Sequence, residues 1–148
     1  MAFIDEIKNR AKQDIKKIVL PESDDDRTLN ATSEVLKQKY AEIILIGNKE
    51  KILKRAKELN LDNLEEAEIV DPNNSEKYDE FVEQFYELRK NKGMTEEKAK
   101  EFMKDNIYFG MMMVKQGYAD GLVSGAIHST SDTLRPALQI LKTAPGTK

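Results

Sequence analysis

The sequence predicts an α/β domain: three layers, α/β/α, around a mainly parallel sheet. Three observations carry that prediction. Short β-rich runs at residues 18–20, 43–46 and 67–70 alternate with longer segments whose apolar residues recur at three- and four-residue steps. The run Ile43, Ile44, Leu45, Ile46 is apolar at every position, as a parallel strand covered on both faces requires. The chain has 148 residues, the length of one domain.

Composition narrows the function. Charged residues make up 34% and apolar residues 39%, with a net charge of −3, so the core is thin and the surface heavily solvated. Both signs are interspersed, with no basic stripe and no basic–aromatic interleaving, so nucleic acid is not an expected partner. The chain has no cysteine, which excludes disulfides, thiolate catalysis and thiolate metal ligands. One histidine, and no His/Asp/Glu cluster at ligand spacing, predict no metal site. The opening residues carry dispersed charges and no long apolar run, so neither a signal peptide nor a membrane span is expected. A cytoplasmic location is the expectation.

Phe3, Ile4, Ile7, Ala11 and Ile15 lie on one helical stripe and predict an amphipathic opening helix. Ile18, Val19 and Leu20 form a buried strand that stops at Pro21. The acidic loop Glu22, Asp24, Asp25, Asp26 follows and suits the start of a helix at Arg27, with Leu29, Thr32, Val35 and Leu36 inward. Asp24 to Asp26 read as a solvated loop. The second strand, 43–46, closes on the turn Gly47–Asn48. A helix over 49–60 turns Ile52, Leu53, Ala56 and Leu59 to one side, and a third strand ends at Asp71–Pro72.

From Glu76 a long helix carries Tyr78, Phe81, Val82, Phe85 and Leu88 to Arg89, Lys90 and Gly93. Arg89 near its end also complements the helix dipole. Thr95 opens a short helix. Residues 107–116 are apolar on most faces, and Met111, Met112 and Met113 read as core filling.

The last stretch, GLVSGAIHSTSDTLRPALQILKTAPG, holds the chemistry. It predicts a fourth strand over 121–126, a polar loop from His128 to Thr133, and a helix with Leu134, Leu138, Ile140 and Leu141 as apolar positions. A helix start with hydroxyls and an arginine suits an anion. Ser129, Thr130, Ser131 and Thr133 supply hydroxyls, and Arg135 a forked, permanently charged donor. Pro136 is expected in the first turn, where its missing N–H costs little. The same pattern fits an ordinary helix with Ser131 or Asp132 as N-cap. His128 has the chemistry of a general base, but nothing local orients it, and a structural hydrogen-bonding role is favoured. In a parallel sheet, ligands collect beyond the carboxyl ends of the strands, so the loop 21–27, the turn after Gly47 and the loop 128–133 should be neighbours. No GxGxxG or Walker-type loop supports nucleotide binding.

These residues resemble a known family. DGLVSGAIHSTSDTLRPALQILKTAPG is similar to the signature region of the phosphate acetyltransferases. KIVLPESDDDRTL, EIILIGN and FYELRKNKG resemble the same family in the same order, so the likeness covers nearly the whole chain. The phosphate butyryltransferases resemble the long signature less well. The resemblance implies reversible acetyl transfer between acetyl-CoA and inorganic phosphate, giving acetyl phosphate and coenzyme A, in a homodimer with no metal and no cofactor beyond coenzyme A as substrate. It implies two α/β domains per subunit, with residues 1–148 as the N-terminal one and the catalytic residues in the part beyond. By the same resemblance Arg135 and Arg89 bind substrate, Arg89 through coenzyme A, and Ser129, Thr130 and Ser131 contact acetyl phosphate. An alternative of another class is a binding module for acetyl phosphate or coenzyme A without chemistry.

Overall fold

The structure is a computed structural model and describes residues 2–146. Four strands make one parallel sheet: β1 Lys17–Leu20, β2 Glu42–Ile46, β3 Glu68–Val70 and β4 Gly121–Leu122, in the spatial order β3-β2-β1-β4. Val19 pairs with Ile44 on one side and Leu122 on the other. Side chains alternate across the sheet, and β2 divides its apolar run between two cores. Ile43 and Leu45 pack with Leu29 of α2 (Asp26–Gln38) and Ile52 of α3 (Lys49–Glu58). Ile44 and Ile46 pack with Phe81 of α4 (Tyr78–Arg89), Ala99 of α5 (Glu96–Phe102), and Phe109 and Met112 of α6 (Asn106–Lys115). The expected α/β/α layering is the observed one.

Helix α6 sets where the site lies. Asp105 caps it by accepting from the N–H groups of Ile107 and Tyr108, and residues 107–113 are all buried. Its approach to the sheet depends on Gly110. A Cβ there would stand 2.8 Å from Leu122 Cδ1 and 2.9 Å from Val19 Cγ1, too close for either to remain where it is. The methionines are core, as their setting in the sequence predicted.

Three expectations change. The opening helix forms as α1 (Phe3–Gln13), but none of its residues is buried and Phe3, Ile4 and Ile7 face outward. Lys8 and Lys12 of this helix stand over the Tyr40 ring, their Nζ 5.7 and 5.3 Å from its centre. The fourth strand is shorter than 121–126. Its ladder ends with the Val123 N–H on the Val19 carbonyl at 3.0 Å, and the following N–H groups turn to a different acceptor. Finally, α7 (Thr130–Pro136) begins early enough that Pro136 closes the helix and does not open it. Proline cannot donate to the carbonyl one turn back, and the chain widens at once into a π turn, Ala137–Leu141, in which Lys142 N–H reaches the Ala137 carbonyl at 2.9 Å.

Candidate functional site

The chain runs from β1 through β2 to β3 on one side and then returns to place β4 on the other, so the crevice between β1 and β4 is the topological switch point, where an α/β sheet ordinarily admits a ligand. Here a side chain of the protein fills it. Glu22, two residues beyond β1, is 4% exposed. Its Oε1 accepts from the N–H groups of Gly125 and Ala126 at 2.7 and 2.8 Å, and its Oε2 from those of Ile127 and His128 at 2.8 and 2.9 Å. Four successive N–H groups converge on one anion, the geometry of a backbone nest. Gly125, at φ 123°, supplies the backbone turn that starts it. Burial works against ionisation of Glu22, but the N–H groups of residues 126–128 and the His128 ring outweigh it and hold the carboxyl down at about 2.

The same carboxylate orients His128. Oε2 lies 2.8 Å from Nδ1. An ionised carboxylate can only accept, so Nδ1 carries the proton. Among the described residues nothing partners Nε2. The local sequence offered no orienting group for His128, and the reason is distance: its partner is 106 residues away. The structural hydrogen-bonding role favoured from sequence is present. The acidic loop divides accordingly. Glu22 is buried, whereas Asp25 caps α2, bonds Arg27, and lies beside Asp26, which pairs with Arg55 at 2.7 Å. Arg27 in turn donates to the Ala126 carbonyl at 2.6 Å, and Ser23 to the Ile46 carbonyl at 2.7 Å. The three loops expected to be neighbours are thus tied together.

The hydroxyl stretch is exposed. Ser129 is the N-cap of α7: its Oγ accepts from the Asp132 N–H at 3.1 Å, and the Asp132 carboxylate accepts from the Ser129 N–H at 3.4 Å, a capping box. The cap is therefore Ser129, not Ser131 or Asp132 as the sequence suggested. Ser131 Oγ shares a hydrogen bond with Ser129 Oγ at 3.1 Å, and the Thr130 hydroxyl has no partner among the described residues. Thr133 Oγ1 donates to Ser124 Oγ at 3.2 Å.

Arg135 is exposed and forms no ion pair among the described residues. It lines an open cavity of about 480 Å³ together with His128, Asp132, Tyr108, Asp105 and Phe102. Tyr108, whose hydroxyl lies 3.0 Å from Gln139 Oε1, sits within electrostatic reach of both arginines. Burial pushes its phenol up, Asp105 adds to that, and Arg135 and Arg89 pull it down. Arg89, at the end of α4, is half-buried, and its Nε is shut away from solvent without a hydrogen-bond partner. The structure thus brings Arg89 and Arg135, 46 positions apart, to one neighbour, with His128 beside Arg135. It leaves Ser129 engaged in the cap and Thr130 open.

The chain can now be set beside known proteins. A family model described as phosphate acetyl/butaryl transferase matches residues 2–148. The chain is 59% identical over its whole length to the phosphate acetyltransferase of Thermoanaerobacterium thermosaccharolyticum and 53% identical to that of Acetivibrio thermocellus, and it covers 44% of each. A solved phosphotransacetylase from Streptococcus pyogenes superposes with a TM-score of 0.93 at 38% identity, covering 100% of this chain and 45% of that one. The EutD phosphotransacetylase from Staphylococcus aureus gives 0.87 at 45% identity over 98% of this chain and 43% of its own. The chain spans less than half the length of these relatives. Among its described residues no helix is long and apolar enough to cross a membrane. The chain belongs to the phosphate acetyl/butaryl transferase family.

Proposed function

We infer that the chain is the N-terminal portion of a phosphate acetyltransferase and carries part of its substrate site. The reaction joins acetyl phosphate and coenzyme A. The thiol sulfur forms a bond to the acetyl carbonyl, the bond from that carbon to the phosphate oxygen breaks, and the thiol proton passes to phosphate. No covalent enzyme intermediate is required. The protein must hold a dianion while its charge changes and keep the thiol in line with the carbonyl.

The observation that carries this reading is the unpaired guanidinium of Arg135 on an open cavity beside His128 and Tyr108. A charge-assisted hydrogen bond from arginine to phosphate contributes about 1.5–3 kcal/mol. Thr130 supplies a hydroxyl with no partner among the described residues. Arg89, half-buried at the end of α4, supplies a second guanidinium for an anionic group of coenzyme A. Acceptance of acetyl over butyryl is supported by the identity to phosphate acetyltransferases. We assign the remaining catalytic groups to sequence beyond Lys148, and the working enzyme to a cytoplasmic homodimer that needs no metal or organic cofactor.

The test is acetyl transfer by full-length protein carrying Arg135→Ala, with coenzyme A consumption as readout. A fall in kcat/KM of about 100-fold or more with unchanged thermal unfolding supports the reading. Unchanged kinetics would remove Arg135 from the site. A binding module without chemistry is separated by the same assay on the wild-type full-length protein: no turnover, but saturable calorimetric heat with acetyl phosphate.

A further inference from the structure

The Glu22–His128 pair is not accounted for by the reading above. A carboxylate at the switch point closes the crevice that the sheet would otherwise offer, and both of its oxygens accept from the same four-residue stretch, 125–128. Four N–H groups and one imidazole nitrogen are more than a loop needs in order to be held. The fifth bond alone involves a side chain, and it decides which nitrogen of His128 is left over. Because Glu22 only accepts, Nδ1 donates and the neutral ring keeps its lone pair on Nε2. His128 lines the same cavity as Arg135.

The rest of that wall is rich in acceptors. Asp132, Asp105 and Glu101 line it too, the first two partly engaged in helix caps. A cavity with one forked cation and several acceptors fits an oxyanion that still bears a proton. Monohydrogen phosphate has one P–OH to donate. Sulfate has the same size and charge and none.

We propose that Glu22 is a positioning residue that fixes His128 with its proton on Nδ1, so that Nε2 accepts the P–OH of monohydrogen phosphate held by Arg135 and the site selects phosphate over sulfate. This rests on the phosphate acetyltransferase reading and adds to it the protonation state of the bound phosphate and the residue that reads it.

The experiment is nitrogen-15 NMR of imidazole in full-length protein at about pH 8.5, where an ordinary imidazole is neutral, with the His128 ring signals assigned by their loss in His128→Asn. The expected spectrum has a protonated Nδ1 and a bare Nε2. Inorganic phosphate shifts the Nε2 signal, and sulfate at equal ionic strength does not. Glu22→Gln turns one oxygen into a donor facing N–H groups, and the ring should then populate both tautomers. His128→Asn keeps an amide where Nδ1 was and removes Nε2, so the clamp and the fold remain. In full-length protein it should raise the KM for phosphate about tenfold with little change in the KM for acetyl-CoA, and weaken the discrimination against sulfate.

A wild-type ring protonated on Nε2 overturns the proposal, as does an Nε2 signal that phosphate leaves unmoved. A His128→Asn enzyme with unchanged KM for phosphate overturns it even if Glu22→Gln does not fold. Loss of transfer in Arg135→Ala beside normal kinetics in His128→Asn would leave the transferase reading standing and remove this one. Absence of transfer in wild-type full-length protein would remove both.

Discussion

Two halves of one stretch, the turn 125–128 and the start of α7 at 129–135, behave in opposite ways. Residues 125–128 direct four N–H groups at an anion, and the anion is the protein's own Glu22. Residues 129–135 carry hydroxyls and a guanidinium, and most of these face outward. By backbone geometry the first half is the better anion site. It is closed to any other ligand, because a tethered carboxylate loses far less entropy on binding than a free one. The second half has the poorer geometry and the open cation. Donor geometry alone does not mark a ligand site in this fold. In the reading proposed here, what marks it is a charge left without a partner at an opening.

The largest effect is expected from Glu22→Ala, which leaves four N–H groups and the His128 ring without their acceptor. The chain should lose at least ~3 kcal/mol of unfolding free energy, roughly 10 °C in Tm, measured by thermal denaturation. A loss below ~1 kcal/mol would mean the nest is readily hydrated and the first half is not closed.

Next is Arg135→Ala, with its fall of about 100-fold in kcat/KM and no comparable loss of stability. The two substitutions should therefore separate, one read in unfolding and the other in turnover. An Arg135→Ala protein that unfolds early would place Arg135 with the closed half.

Acid provides a graded version of the first test. The carboxyl of Glu22 sits at about 2 in the folded chain against an ordinary 4.5, so its contribution is present above pH ~4.5 and is lost as pH falls toward 2. At ~1.4 kcal/mol per pH unit, about 3 kcal/mol of stability is at stake. Urea midpoints measured between pH 5 and 2 should fall more steeply for wild type than for Glu22→Gln. Parallel curves would show that other carboxylates dominate.

The smallest effect is expected at the cap. Ser129→Ala removes the acceptor for the Asp132 N–H and should cost about 1 kcal/mol. Its effect on transfer should be far below that of Arg135→Ala, because the Ser129 hydroxyl already has a partner within α7. A kinetic defect as large as that of Arg135→Ala would show that this hydroxyl leaves the cap to meet substrate.

The sequence makes the layers legible because they rest on local periodicity. The runs at 18–20, 43–46 and 68–70 are strands, and the apolar stripes between them are helices. Its errors fall where a partner lies far along the chain. Gly125 and Ala126 fall in a stretch that looks like strand by composition, and their N–H groups go to the Glu22 carboxylate, about a hundred positions earlier, not to a ladder partner. A signal was present: Gly125 interrupts the strand pattern, and glycine within a strand marks a bend or a close backbone approach. The cap of α7 was legible in principle, since Ser129 and Asp132 stand at capping-box spacing. The exposure of α1 was not, because an amphipathic stripe does not say what covers it. Arg135 and Arg89 were singled out from the sequence. What required coordinates is that both approach Tyr108.

If the open cation of Arg135, and not the filled nest, meets the phosphate, calorimetric titration of acetyl phosphate into full-length wild type and Arg135→Ala, both folded, should show saturable heat for wild type and binding at least tenfold weaker for the variant. Equal affinity in the two proteins would contradict that contact.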